Sequence, residues 1–311
     1  MPTGTDIAKA YVQIIPSAEG IKGKLTEVMG GEADSAGKSA GSKFAATFGK
    51  FAAAGAVAAA TAIGAVIKKS VESYAEYEQL VGGVEKIFDQ ANTAQIMADA
   101  QAAYKDLNMS ANDYLAAINQ TGAAFAQTMG DQKGYDTARK GMKAIADYAS
   151  GTGRNLDELN DKFSMITRST SSYQSIADQF SGILPATSAD FLEQAQAAGF
   201  LSESYKNLTE VPIAEYQEAV TQMLERGVDA MGLTDNTAKE ATETLSGSIA
   251  TVKASWQNLV TAFADPNADL GAIVNNFIES AGIALGQLIP VLQDFLSLLA
   301  VVMLQQITEH I

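Results

Sequence analysis

Proline limits a fold more sharply than any other residue, and this chain has only six in 311 positions. Proline fixes φ and removes an amide donor, so it breaks helix interiors. Its scarcity leaves long stretches free to be helical. Much of the apolar share of 47% is alanine, the strongest helix former but one that buries little area per residue. Glycines stand where helices would end, at Gly130, Gly151, Gly153, Gly199 and Gly232. The chain reads as all-α, with long alanine-rich helices, a multi-helix bundle and room for one short N-terminal strand at Ala10–Pro16 (AYVQIIP).

Helix starts are marked in the sequence. Ser17 follows Pro16 as an N-cap, and Ser110 with Asp113 forms a capping-box pattern. Asn155 with Glu158 reads the same way, as does Ser188 before Phe191-Leu192, and Pro212 suits a first turn before Ile213. Apolar residues then recur at helical spacing: Leu115, Ile118 and Phe125; Met142, Ile145 and Tyr148; Leu245, Ile249, Val252, Trp256 and Val260. These stripes are read as core. Trp256, the lone tryptophan, is read as a core residue or interface anchor.

Four regions follow. Residues 1–43 hold the strand, a helix and a polar linker (GGEADSAGKSAGS, 30–42). Residues 44–83 form a long apolar Ala/Gly-rich helix ending at the Gly82-Gly83 break. Residues 84–263 form a helical core domain, and residues 264–311 an apolar C-terminal segment. Within the second region, 51–67 run 17 residues without a charge, at the lower limit for crossing a bilayer. Phe51, Val57, Ile63, Gly64 and Ile67 are the candidate membrane or bundle residues there. Small residues at Ala52, Ala56, Ala60 and Gly64 would allow close helix approach in lipid or protein. A second apolar stretch, 281–304, is interrupted by Pro290 and Asp294.

Composition narrows the chemistry. Cysteine is absent, which removes disulfides, thiolate catalysis and Cys-zinc sites. The only histidine is His310, so a histidine metal cluster or a Ser-His-Asp triad is not expected. Net charge is −15. Residues 1–70 carry about +3, so the acidity lies in the remainder, and specific nucleic-acid binding is not expected. Two near-matches fail. Gly31 to Ser39 has five residues between its glycines where a phosphate-binding loop needs four. Asp265-Pro-Asn267-Ala-Asp269 resembles a calcium loop but carries Leu270 where glycine is needed and Asn276 where glutamate is needed. The simpler reading of that segment is a turn between two helices. No catalytic residue, metal ligand or cofactor is assigned.

Several phrases resemble the siphophage tail tape-measure family. Ala10–Gly20 (AYVQIIPSAEG) is similar to the family's opening, and Tyr74–Phe88 (YAEYEQLVGGVEKIF) to the entry of its core. Leu107–Leu115 (LNMSANDYL) resembles its Met-Ser-x-Asn-x-Tyr helix start. The most specific phrase is Ala238–Leu259 with the following Asp265–Asn276, which resembles a Gly-Ser…Lys-Ala-x-Trp-x-Asn helix and an Asp-x-Asn-Ala-Asp turn. Tape-measure proteins are usually much longer, so the chain reads as a short or truncated form. The resemblance implies a non-enzymatic virion protein, present in several copies in the tail-tube lumen. Tube subunits and assembly chaperones would be its partners. It would sit in the host cytoplasm during assembly, with apolar segments entering the host membrane at genome ejection. The alternative class is a membrane-active holin or pore former.

Overall fold

The computed structural model describes the backbone of residues 56–309, and side-chain surroundings mainly over 65–290. The described residues are 81% helical and contain no strand, only an isolated bridge between Ser181 and Leu184, so the fold is all-α. The expected strand at 10–16, the Ser17 cap, the linker at 30–42 and Phe51 lie outside the described residues. Contacts divide the chain into two units, one comprising residues up to Tyr74 with Val260–Asp269, the other Ala75–Leu259 with Leu270 onward.

Helix α1 spans Ala56–Ile87, about 48 Å at 1.5 Å per residue. Val57, Ile63, Gly64 and Ile67 fall on its backbone. It does not stop at Gly82-Gly83 as the sequence suggested. Gly83 is needed for close approach instead, since a Cβ there would lie 2.7 Å from Asn119 Oδ1. In the first unit, the Ser73 and Thr261 hydroxyls are hydrogen-bonded at 2.6 Å.

The second unit continues with α2 (Gln90–Asp106), capped by the Asp89 carboxylate, which accepts the Asn92 N–H at 2.8 Å. Next comes α3 (Ala111–Ala117), which runs through a π-turn at Ile118–Gly122 into α4 (Ala123–Met129). The π-turn had no signal in the sequence. Gly130, at φ 82, turns the chain into α5 (Asp131–Thr152). Gly134 lets α5 lie directly on α4, because a Cβ there would sit 2.5 Å from the Ala126 amide nitrogen. Gly153, in the left-handed region at φ 68, ends α5. The sequence had offered Gly151 as a further stop, but that residue lies within α5 against Leu233.

Helix α6 (Leu156–Arg168) starts at the expected Asn155 cap. Short helical turns, including α7 (Tyr173–Ile176), lead to α8 (Ser188–Ala197), whose cap is Thr187 and not Ser188. The neighbouring hydroxyl satisfies the same amide, that of Asp190 at 3.1 Å. Helix α9 (Ile213–Ala230) begins directly after Pro212, and α10 (Asn236–Glu243), α11 (Leu245–Ala262) and α12 (Leu270–Glu309) complete the chain. Helix α12 passes through Pro290 without ending, so the interrupted apolar stretch lies on one helix. Between α11 and α12, Asp265 Oδ1 accepts the Asn267 N–H at 2.8 Å, forming the turn read from the sequence.

The core is built around α5, where alanines and glycines alternate with Tyr135, Met142, Ile145 and Tyr148. Small residues bring the helices close, and each buried ring contributes a large apolar area. Tyr114, Phe125, Tyr135, Phe163, Tyr173, Phe180, Phe191 and Tyr216 are all fully buried.

Candidate functional site

The segments singled out in the sequence meet at the N-terminus of α3. A helix start leaves its first amides without intrahelical acceptors. Here Ser110 Oγ accepts the Asp113 N–H at 3.2 Å, while Asp113 Oδ2 accepts the Ser110 amide at 3.3 Å and the Ser110 hydroxyl at 2.6 Å. This is the capping box read from the sequence. The Ala111 amide remains, and it is answered from 147 positions away: it donates to Asn258 Oδ1 at 2.7 Å in a buried bond. Beside it, Thr251 Oγ1 donates to Asn108 Oδ1 at 2.9 Å, and Asn108 holds a left-handed φ of 54°. Asn112 Nδ2 donates to Glu76 Oε2 on α1 at 3.3 Å. The Asn-Met-Ser-Ala-Asn phrase and the Trp-Gln-Asn phrase therefore form one polar joint holding α1, α3 and α11 in the second unit.

That joint corrects the reading of α11. Leu245, Ile249, Val252, Trp256 and Val260 were expected to face the core; Val260 is buried, but Leu245, Val252 and Trp256 are half-buried and Ile249 is exposed. The buried face carries Ser248, Thr251, Ser255 and Asn258, spaced three, four and three apart, together with Ala254 and Leu259. The serine and threonine hydroxyls donate to carbonyls of the preceding turn, and Thr251 and Asn258 also bond to residues at the start of α3, so this small polar face is satisfied when buried and allows close packing. Trp256 instead packs at a tilt against Phe277 of α12, with ring centroids 5.4 Å apart, and so anchors two helices of its own chain.

Two further polar clusters lie in the second unit. The Tyr114 and Tyr135 hydroxyl oxygens are 2.7 Å apart, and Tyr135 donates to Asp99 Oδ2 at 2.6 Å. Tyr135 has a single hydroxyl proton, so Tyr114 is the donor of the first bond. Arg139 completes the chain at 3.2 Å from Asp99. Burial pushes the Tyr114 hydroxyl up to about 12 and raises Tyr135 as well. In the other cluster, buried Asp147 accepts the Asp235 and Thr237 amides at 3.0 Å each and so caps α10 from α5. Lys143 bridges Asp147 at 3.3 Å and Asp235 at 2.8 Å. The Lys143 hydrogen bond and charge hold Asp235 below the usual carboxylate range.

These groups hold helices together through the hydrogen bonds and ion pairs just described. A surface cleft of about 510 Å³ beside the π-turn is lined by carboxamides, Thr128 and Arg168, which can hydrogen-bond but present no nucleophile–base pair. Among the described residues no group of His, Asp or Glu is arranged to hold a metal. One described helix segment, Leu270–Pro290, is long and apolar enough to cross a membrane, and only 6% of it is buried. Comparison with family models, curated proteins and solved structures returned no match.

Proposed function

We propose that this chain is a structural, non-enzymatic protein of the phage tail tape-measure kind. In this reading it acts in several copies as a helical template for tail-tube subunits and assists genome ejection through the host membrane. The observation that supports it is the polar joint: Asn112 and Asn258, which lie in the phrases that carry the family resemblance, tie α3 to α1 and to α11. A scaffold needs rigid helices of set length, and α1 and α12 span about 48 and 60 Å at 1.5 Å per residue. The test is polymerisation of tail-tube subunits encoded beside this chain. Tubes of uniform length that form only when the chain is present support the reading. Tubes indifferent to it, or a gene lying within a lysis cassette, overturn it.

The second reading, a membrane-active holin or pore former, draws on the exposed apolar segment Leu270–Pro290. It predicts leakage of dye-loaded vesicles on addition of the full chain, together with tail tubes whose length is indifferent to it.

A further inference from the structure

The cleft beside the π-turn has a volume of about 510 Å³, within the range of sites that take a ligand. Its polar lining converges from separate elements: Gln120 from the π-turn, Gln127 and Thr128 from α4, Arg168 from the end of α6 and Gln217 from α9. Such π-turns recur at functional sites. Gln217 is only 1% exposed and is held at both ends: Oε1 accepts the Thr128 hydroxyl at 2.5 Å, and Nε2 donates to the Thr167 carbonyl at 3.0 Å. A carboxamide has two N–H donors and an oxygen with two lone pairs, so one of each remains. Gln120 spends Nε2 on Asp161 Oδ1 at 3.0 Å and keeps its carbonyl oxygen. The side chains of Gln127 and Arg168 make no hydrogen bond or ion pair with another described residue.

We infer that this cleft binds an extended peptide segment bearing a carboxylate. Each peptide unit offers one N–H and one C=O, the same pair that a glutamine carboxamide offers in return. Arg168 is the one charged residue of the lining, and its planar fork matches a carboxylate with two parallel bonds. Half-buried Ala123, Ala124 and Ile213 leave space for small apolar side chains. Other ligand classes match the lining less well. It has no aromatic ring on which a sugar or a base could stack. One guanidinium carries a single charge against the several of a di- or triphosphate. An apolar ligand would leave the carboxamides unpaired. The chain's net charge of −15 repels acids at long range, but salt at about 0.15 M screens exposed charges beyond about 8 Å, so contact decides. The inference goes beyond the template reading and does not depend on it.

The test is an NMR titration of the isotope-labelled full chain in about 0.15 M salt. The probes are an acetylated hexa-alanine with a free C-terminus, the same peptide amidated with one central aspartate, the amidated peptide without aspartate, and glutarate. Both carboxylate peptides should shift the side-chain amide signals of Gln127 and Gln217 with a Kd below about 1 mM, and the neutral peptide and glutarate should each bind at least about tenfold more weakly. The tighter of the two carboxylate peptides tells whether a chain end or an internal acid is preferred. Arg168→Gln should weaken their binding about fivefold or more, and Arg168→Lys, which keeps the charge but loses the fork, should weaken it less. Lys140→Gln, which removes the same charge from an exposed position of α5, should change it by less than about twofold. No binding of either carboxylate peptide up to about 10 mM overturns the inference. So does a neutral peptide or glutarate that binds as tightly as they do, or an Arg168→Gln chain, folded by circular dichroism, that binds them unchanged. Tube polymerisation is read separately, so the cleft and the template reading can fail independently.

Discussion

Replacing Asn258 by alanine strands the Ala111 amide, which is buried and has no acceptor of its own in α3. A net neutral hydrogen bond contributes about 1 kcal/mol, and a buried donor left without a partner costs about 1–3 kcal/mol. The expected loss is therefore about 2 kcal/mol, or a drop in Tm of about 4–8 °C for a domain of this size. The converse deletion is Ala111→Pro. Proline is tolerated at a first helical position, and the extended Ser110 (φ −70, ψ 166) accepts a following proline. Alone it should also destabilise, because its ring Cδ takes the place of the amide hydrogen and meets Asn258 Oδ1. In the double variant both the orphaned amide and the collision vanish. Denaturant unfolding of the four proteins should give a coupling of about 1–2 kcal/mol, with the double variant more stable than the sum of the singles implies. Costs that add to within about 0.5 kcal/mol, or an Asn258→Ala variant as stable as wild type, would falsify the claim that this bond closes the joint.

Buried tyrosines give a second handle. Tyr114, Tyr135, Tyr173 and Tyr216 are all raised, chiefly by burial, so the stability they contribute is complete below the ordinary tyrosine range near 10 and is lost as pH rises through their folded values. Absorbance titration should show these four of the ten tyrosines ionising only with unfolding, and smooth titration of all ten in a folded chain would refute it. Gly134→Ala should cost about 1–3 kcal/mol by forcing α5 off the Ala126 backbone, whereas Gly82→Ala, with nothing within 4 Å, should stabilise by about 0.5–1 kcal/mol. Thermal melts that rank the two the other way would show that the close contact at Gly134 is not rigid.

Local chemistry was legible in the sequence. Ser110 with Asp113 and Asn155 with Glu158 act within three residues of themselves, so the signal and the bond share one short segment. The miss at Thr187 is of the same kind, since adjacent hydroxyls compete for one amide. Gly83 and Gly151 misled for a different reason: glycine looks the same in sequence whether it ends a helix or admits a neighbour, and only the neighbour distinguishes them. The buried face of α11 is rotated away from the expected apolar stripe because Thr251 and Asn258 find partners near residue 110 that no local window contains. The π-turn at Ile118–Gly122 likewise depends on packing rather than on a residue pattern.

The bond between Ala111 and Asn258 also sets a clock. Its partners are separated by 147 residues, which at about 5–20 residues per second take roughly 7–30 s to synthesise. For that interval the Ala111 amide has no Asn258 to accept it, so the joint can close only after residue 258 has been made. Any factor that handles this protein during synthesis has those seconds in which to meet the start of α3 unpaired.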